Sequence, residues 1–249
     1  VLEIYILVLL FFTGLFAGVL NAVAGGATFF TFPALMLAGL SPLSANATNF
    51  IATAPGNIAA LPAFWDELKI IGKKIFAPLI ISAIGGLLGA VVLFSLGANI
   101  FKNLVPYLMG FATILFLAAP RLRKLVLKTN LKSKIVPLVL LLSFAVYGGY
   151  FGAGLGQIAL AVLILIGFEN LHKANAMKNA VIASISLPAS IIYIYSGEVF
   201  WPYALVMSIG AAIGGFTGGK ISKSIPQNYL RVFIIVLGTL LTVYYFITI

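Results

Sequence analysis

Residues 4–40 read IYILVLLFFTGLFAGVLNAVAGGATFFTFPALMLAGL, two apolar runs that meet at the glycine-rich turn 21–26. The first run, 4–22, is long enough to cross a membrane as a helix, which takes about 20 residues. The second, 27–40, would form only roughly 20 Å of helix, against about 30 Å of hydrocarbon. Irregular backbone at membrane depth is tolerated only where it is buried in protein or lines a cavity. The stretch therefore predicts a helix break inside a membrane protein.

The composition of the whole chain supports a membrane environment. Of 249 residues, 62% are hydrophobic and 8% are charged, and the mean hydropathy is +1.17. A soluble domain carries about 25% charged residues. The chain therefore suits a single membrane domain, 1–249, surrounded by lipid. The net charge of +10 is expected to mark cytoplasmic loops and not a nucleic-acid partner.

Apolar runs recur along the chain and predict about ten membrane segments in an all-α polytopic protein. A second short run, 156–168, again follows a glycine-rich turn, 152–156. The ten runs are 4–22, 27–40, 45–63, 75–97, 101–119, 135–152, 156–168, 174–195, 200–219 and 229–248.

Two sequence blocks repeat at one offset. Ala45-Asn46-Ala47 recurs 129 positions later as Ala174-Asn175-Ala176, and the glycine-rich block 83–89 recurs as 212–218. We predict two repeats, 1–120 and 135–249, joined by the basic linker 121–134. A duplicated helical scaffold without a transport role is the alternative interpretation.

The positions of the basic residues predict the topology. With the linker in the cytoplasm and five segments in each half, every Lys and Arg except Lys102 lies inside. Four crossings per half would instead divide the basic residues between both sides. Five segments imply inverted halves, with both termini outside. Each second segment is either a crossing or the return arm of a re-entrant hairpin, since both give the same sidedness.

The two glycine-rich turns are the first candidate site. A helix N-terminus offers unpaired N–H groups and a partial positive charge, which together bind anions. If the helices near Ala27 and Gln157 begin inside the membrane, both N-termini point at a central site. Close helix packing is the alternative reason for the glycines. The candidate residues are Asn21, Gly25, Gly26, Thr28, Gly154, Gly156 and Gln157.

Polar stripes on the third and eighth segments are the second candidate. Residues three to four apart share a helix face, and such stripes either hold neighbouring helices together or line a pathway. Pro55 and Pro188 are expected to interrupt these segments. The candidate ligands are Asn46, Asn49 and Thr53 on the first stripe and Asn175, Lys178 and Asn179 on the second, with Asn57, Ser184 and Ser186 on the same segments.

Lys178 is expected about one turn inside its segment. A basic residue at the centre of a membrane helix costs roughly 2.5–3.5 kcal/mol on insertion scales. A direct anion ligand and a side chain that reaches back to the interface are both consistent with this position.

Catalytic and metal chemistry have few candidates. Glu3, Asp66, Glu67, Glu169 and Glu198 all fall at predicted segment ends, so carboxylate-based proton coupling is not expected. One His, no Cys and no hydrolase or zinc-protease motif argue against an enzyme, a metal site or a cofactor.

The stretches Ala45-Asn46-Ala47-Thr48-Asn49 with Pro55-Gly56, and 171–179, resemble the TauE/SafE family, as does the glycine-rich turn in each half. The resemblance covers essentially the whole chain. It implies a plasma-membrane transporter of sulfur-containing or organic anions such as sulfite, sulfonates or sulfoacetate, often in the export direction. The second turn, 152–157, lacks the adjacent glycines expected there, so Gly154 and Gly156 match the family less well than Gly25 and Gly26 do.

The sequence thus predicts alternating access to a small anion at the interface of two inverted repeats. Two alternatives stay open: a carrier of a neutral or zwitterionic sulfur compound, and a membrane assembly subunit without a solute. The sequence does not determine the anion, the direction, the energy coupling or the oligomeric state.

Overall fold

The computed structural model describes residues 2–128, 135–168, 170–222 and 227–249, and every regular element in these ranges is helical. Part of the predicted basic linker, together with Glu169 and Lys223, lies outside the described residues. The helices are α1 Leu2–Val23, α2 Thr28–Leu37, α3 Pro42–Ala60, α4 Trp65–Ile71, α5 Phe76–Lys128, α6 Ile135–Tyr150, α7 Leu155–Ile166, α8 Leu171–Tyr195, α9 Trp201–Ile221 and α10 Gln227–Thr248, with short 3₁₀ turns on either side of α4.

Five helical stretches of the described chain are long and apolar enough to cross a membrane. One of them, Pro42–Leu122, contains several elements, and α5 within it is bent at Gly97, which has φ 80° and ψ 171°. This bend falls between two predicted apolar runs. The five stretches are Glu3–Val23, Pro42–Leu122, His172–Tyr195, Trp201–Ile221 and Tyr229–Thr248.

The two short segments predicted from the sequence are confirmed as short helices. Helix α2 has 10 residues and α7 has 12, which makes them about 15 and 18 Å long at 1.5 Å per residue. Each follows a sharp turn whose glycines have positive φ: Gly25 and Gly26 before α2, and Gly152 and Gly154 before α7. Positive φ is accessible to glycine at little cost, which explains its use at both breaks.

The expected interruptions at Pro55 and Pro188 are wrong. Both prolines lie inside continuous helices, α3 and α8. A proline within a helix removes one backbone hydrogen bond, but neighbouring helices compensate for this in membrane proteins. Helix α3 packs mainly against α9, and α8 packs mainly against α5.

Glycine contacts bring the helices together in matching pairs. A Cβ on Gly215 would lie 2.1 Å from the carbonyl oxygen of Gly56, so α9 packs directly on the backbone of α3. A Cβ on Gly86 would lie 2.4 Å from the carbonyl oxygen of Ile185, so α5 packs in the same way on α8. Both members of the second contact lie 129 positions from their counterparts in the first. The backbone contacts thus follow the same offset as the sequence blocks.

Candidate functional site

A narrow, partly open cleft lies between the two helix breaks. Its wall combines residues that follow or precede a break with residues of α3 and α8. The lining residues are Asn21, Ala27, Thr28, Asn49, Phe50, Thr53, Asn57, Phe151, Gly152, Leu155, Ile182 and Ser186. A narrower recess shares Asn21, Ala27, Thr53 and Asn57 with it.

The cleft includes some of the predicted site residues and not others. Asn21, Thr28, Asn49 and Thr53 line it. All polar side chains in its wall are neutral amides or hydroxyls. The other candidates are not among its lining residues: Gly25, Gly26, Asn46, Gly154, Gly156, Gln157, Asn175, Lys178 and Asn179.

The N-terminus of α2 faces the cleft through Ala27 and Thr28. The first backbone bond of this helix runs from Phe29 N to Gly26 O, at 3.1 Å. The amides of Gly26, Ala27 and Thr28 therefore precede the hydrogen-bonded part of the helix and have no intrahelical acceptor. Such an end offers N–H donors and a partial positive charge to an anion.

A chain of side-chain hydrogen bonds crosses the cleft wall. The amide of Asn21, at the end of α1, donates to Asn57 Oδ1 on α3. Asn57 Nδ2 donates to Ser186 Oγ on α8 at 3.2 Å, and Ser186 Oγ donates to the carbonyl of Ile182 at 2.9 Å. Three helices are thus joined through one set of polar groups.

The two breaks touch each other behind the cleft. A Cβ on Gly156 would lie 2.6 Å from Gly25 Cα, so the two turns are in backbone contact. Gln157 Nε2 also donates to Ala24 O at 2.9 Å, from the second break to the first. Gly25, Gly156 and Gln157 therefore join the breaks, although none of them lines the cleft.

Lys178 is fully buried on α8. Its Nζ lies 3.2 Å from Ala22 O and 3.4 Å from Asn21 O, and Asn179 Nδ2 donates to Ala22 O at 3.5 Å. These carbonyls end α1, where the helix carries a partial negative charge. Lys178 and Asn179 thus cap α1, and the ammonium group lies one residue from the cleft through the backbone of Asn21.

The matching end of α6 is capped by neutral groups. Asn46 Nδ2 donates to Tyr150 O at 3.1 Å, and Tyr193 OH donates to Gly149 O at 2.8 Å. Asn46 is fully buried. The Oδ1 atoms of Asn46 and Asn175 have no hydrogen-bond partner among the described residues.

The remaining candidates lie against protein. A Cβ on Gly154 would meet Ala112, and one on Gly26 would meet Phe116. Sequence reasoning named Asn57 and Ser186 only as members of a stripe and missed the apolar wall of Phe50, Phe151 and Ile182. The repeat offset could have paired Asn57 with Ser186, because they are 129 residues apart. The sequence does not distinguish the residues of this apolar wall from the many other apolar residues of the chain.

Metal ligation has no support in the described ranges. No group of three or more His, Cys, Asp or Glu side chains converges there. Amides and hydroxyls are what the cleft offers, and their chemistry is reversible binding through hydrogen bonds.

The described residues, with several apolar stretches long enough to span a membrane and an amide-lined cleft between two broken helices, define a polytopic membrane protein. Comparison with known families gives the assignment within this class. The family described as sulfite exporter TauE/SafE matches residues 10–245, and the chain is a member of it. No solved structure matches the chain.

Named relatives agree with the class of transporter. A probable membrane transporter protein of Haemophilus influenzae is 29% identical over 238 residues, which cover 95% of this chain and 93% of the relative. The probable membrane transporter protein YfcA of Escherichia coli is 29% identical over 236 residues, covering 94% and 87%. A probable membrane transporter protein, ORF9, of Sinorhizobium is 24% identical over 242 residues, covering 97% and 93%.

Proposed function

We propose that the protein exports a small sulfur-containing or organic anion, such as sulfite, a sulfonate or sulfoacetate, across the cell membrane. The anion binds in the cleft between the two helix breaks and is released by alternating access. The proposed ligands are the side chains of Asn21, Thr28, Asn49, Thr53 and Asn57 and the free amides at the start of α2.

One observation carries this proposal: the free amides of α2 open onto a cleft whose polar side chains are all neutral. Neutral N–H and O–H donors bind an anion without the desolvation penalty that a buried lysine would add. Lys178 Nζ lies behind the wall, in contact with the backbone of Asn21. The anion is therefore proposed to be held by hydrogen bonds at the positive end of the α2 dipole.

Alternating access is proposed to use two inverted repeats, 1–120 and 135–249. The glycine contacts of α5 with α8 and of α9 with α3 share the repeat offset and support this arrangement. Transporters built from inverted repeats commonly bind their solute at broken helices near the repeat interface. The position of the cleft beside both helix breaks supports the same proposal for this chain.

The orientation is proposed from the basic residues, with both termini outside and the linker in the cytoplasm. In this topology the start of α3 and the connection between α8 and α9 lie on the outer side. Contacts between them agree with that placement. Ser44 Oγ donates to Glu198, and Phe200 N donates to Thr48 Oγ1 at 2.9 Å.

Transport by the purified protein in liposomes tests the proposal. We expect saturable, protein-dependent movement of at least one of sulfite, sulfoacetate and simple sulfonates. Thr53 donates its single hydroxyl proton to Asn49 O in this structure, and we propose that this proton turns to the anion on binding, so Thr53→Val should weaken the apparent affinity by about twofold to fivefold. No movement of any of these anions by a folded protein would refute the function.

Thr239→Val is the matched control for Thr53→Val. Both hydroxyls donate to the carbonyl four residues earlier in their own helix, Thr53 to Asn49 O at 2.9 Å and Thr239 to Ile235 O at 2.8 Å. Only Thr53 lines the cleft, whereas Thr239 is exposed on the outer surface of α10. If both variants lost the same apparent affinity, the cleft would not be the anion-binding site.

A further inference from the structure

Within the described ranges, the side-chain oxygen of Asn49 is an unpaired acceptor, which the binding of a simple anion does not use. The side chain lines the cleft and is 1% exposed, and its Oδ1 has no hydrogen-bond partner among the described residues. Asn46, Ser82, Tyr150, Asn175 and Arg231 also have buried polar atoms without a partner, but none of these residues lines the cleft.

A buried carbonyl oxygen without a donor is costly, and an anion cannot relieve that cost. The amide oxygen of Asn49 is an acceptor, so it repels the oxygens of a sulfonate or carboxylate and attracts an O–H or N–H group. Each of the other cleft amides makes one hydrogen bond within the protein and keeps a second N–H, since Asn21 donates to Asn57 and Asn57 donates to Ser186. No described protein group donates to Asn49 Oδ1, so this acceptor is left for a ligand.

The cleft thus presents two kinds of group. Free amides at the start of α2 attract an anionic end, and the Asn49 carbonyl attracts a donor. A site that hydrogen-bonds a substrate hydroxyl or amine rejects an analogue that lacks this group, because a buried polar atom is then left unpaired.

We propose that the substrate is a small anion that also carries a hydrogen-bond donor, a hydroxyl or an ammonium group, bound by the Asn49 side-chain oxygen. This inference rests on the proposed function and narrows its substrate class. The donor lies near the sulfonate or carboxylate, since the cleft is small.

Three sulfonates of similar size test the donor requirement. Ethanesulfonate has no second polar group, 2-methoxyethanesulfonate has an acceptor only, and 2-hydroxyethanesulfonate has a donor. Equilibrium binding to the purified wild-type protein should favour 2-hydroxyethanesulfonate by about tenfold over each of the others, the effect of one hydrogen bond to a buried acceptor.

The Asn49→Leu variant should reduce this preference to within about twofold, because leucine offers no acceptor. Asn49→Ala serves the same purpose if the leucine variant does not fold. Ser82→Ala is the control, because Ser82 is buried with an unpaired Oγ but does not line the cleft. It should keep the wild-type preference.

The outcomes separate this inference from the proposed function. Equal binding of all three sulfonates, or a preference for the methoxy compound, overturns the donor requirement and leaves anion binding intact. A tenfold preference that persists in both Asn49 variants shows that another residue recognises the donor, which overturns the assignment to Asn49. Failure of sulfite and of every sulfonate and carboxylate to bind a folded protein refutes the proposed function itself.

Discussion

The two helix breaks share a backbone design but differ in the groups that cap them. The first break, between α1 and α2, ends at carbonyls contacted by the charged Lys178 and by Asn179. The second, between α6 and α7, ends at carbonyls contacted by the neutral Asn46 and Tyr193. A helix C-terminus is stabilised by a cation, but hydrogen-bond donors without charge also satisfy its carbonyls.

Two turns with similar backbone conformations can therefore have different roles at one site. Asn49 and Lys178 are 129 positions apart, yet Asn49 lines the cleft and Lys178 contacts the end of α1. The lysine therefore contacts the first break, and at its counterpart position 129 residues earlier, Asn49, the chain has a neutral amide. We expect substitutions at the two breaks to have different consequences for transport and for stability.

The largest effect is expected where the breaks touch. In Gly156→Ala, the new Cβ would lie 2.6 Å from Gly25 Cα and 2.8 Å from Ala24 O. Backbone cannot yield as a flexible side chain does, so the free energy of unfolding should fall by about 3 kcal/mol or more. Thermal unfolding in detergent measures the loss, and transport should disappear with it.

Gly167→Ala is the control for that variant. Gly167 has φ 108° but open space around its Cβ position, so only backbone strain opposes the alanine. Its cost should be about 1–2 kcal/mol. If Gly156→Ala were as stable as Gly167→Ala, the contact between the breaks would not have the importance assigned to it.

The cap of the first break is tested by Lys178→Met. We expect transport to fall by about tenfold or more, the order of one lost charge-assisted hydrogen bond, because the carbonyls of Asn21 and Ala22 lose the lysine and keep only the neutral donors Gly25 N and Asn179 Nδ2. Thermal stability should stay equal or rise, since replacing a buried ion by an apolar side chain of similar size is often neutral or stabilising. A variant that transports normally would show that the charge has no role at the cleft.

Tyr193→Phe tests the cap of the second break. The hydroxyl that donates to Gly149 O at 2.8 Å is lost, and the cost in unfolding free energy should be about 1–2 kcal/mol. Transport by the folded variant should stay within about threefold of wild type, because neutral donors from Asn46 remain. A larger loss of transport than in Lys178→Met would show that the cap of the second break matters more for transport than the cap of the first.

The smallest effect is expected for Gln157→Leu. This variant loses the single bond from Gln157 Nε2 to Ala24 O, at 2.9 Å, while the glycine contact beside it remains. The expected change in unfolding free energy is about 1 kcal/mol. A cost comparable with that of Gly156→Ala would mean that the side chain, and not the backbone contact, holds the breaks together.

Much of the architecture could be predicted because it depends on patterns along the chain. The short helices after glycine turns follow from run lengths, and Gly25, Gly26, Gly152 and Gly154 do adopt positive φ. The prolines were misjudged, since packing on α3 and α8 outweighs one lost hydrogen bond. Local sequence does not report that packing.

The site was harder to predict than the fold. Asn21, Thr28, Asn49 and Thr53 were identified because amides and hydroxyls stand out among apolar residues, and they do line the cleft. The direction of a side chain was not predictable, so the sequence did not show that Lys178 would contact α1 or that Gln157 would reach Ala24. Those contacts depend on how the breaks meet in three dimensions.

The bond between Asn57 and Ser186 has a consequence for how such a chain evolves. These positions are 129 residues apart and touch each other. If the halves descend from one duplicated segment, a position that touches its own copy lies on the axis relating them. Before fusion, when two identical chains formed the contact, a single mutation there would have changed both of its sides at once. Once the two copies are fused in one gene, each side mutates separately. An amide can then face a hydroxyl, so that one side donates the hydrogen bond and the other accepts it.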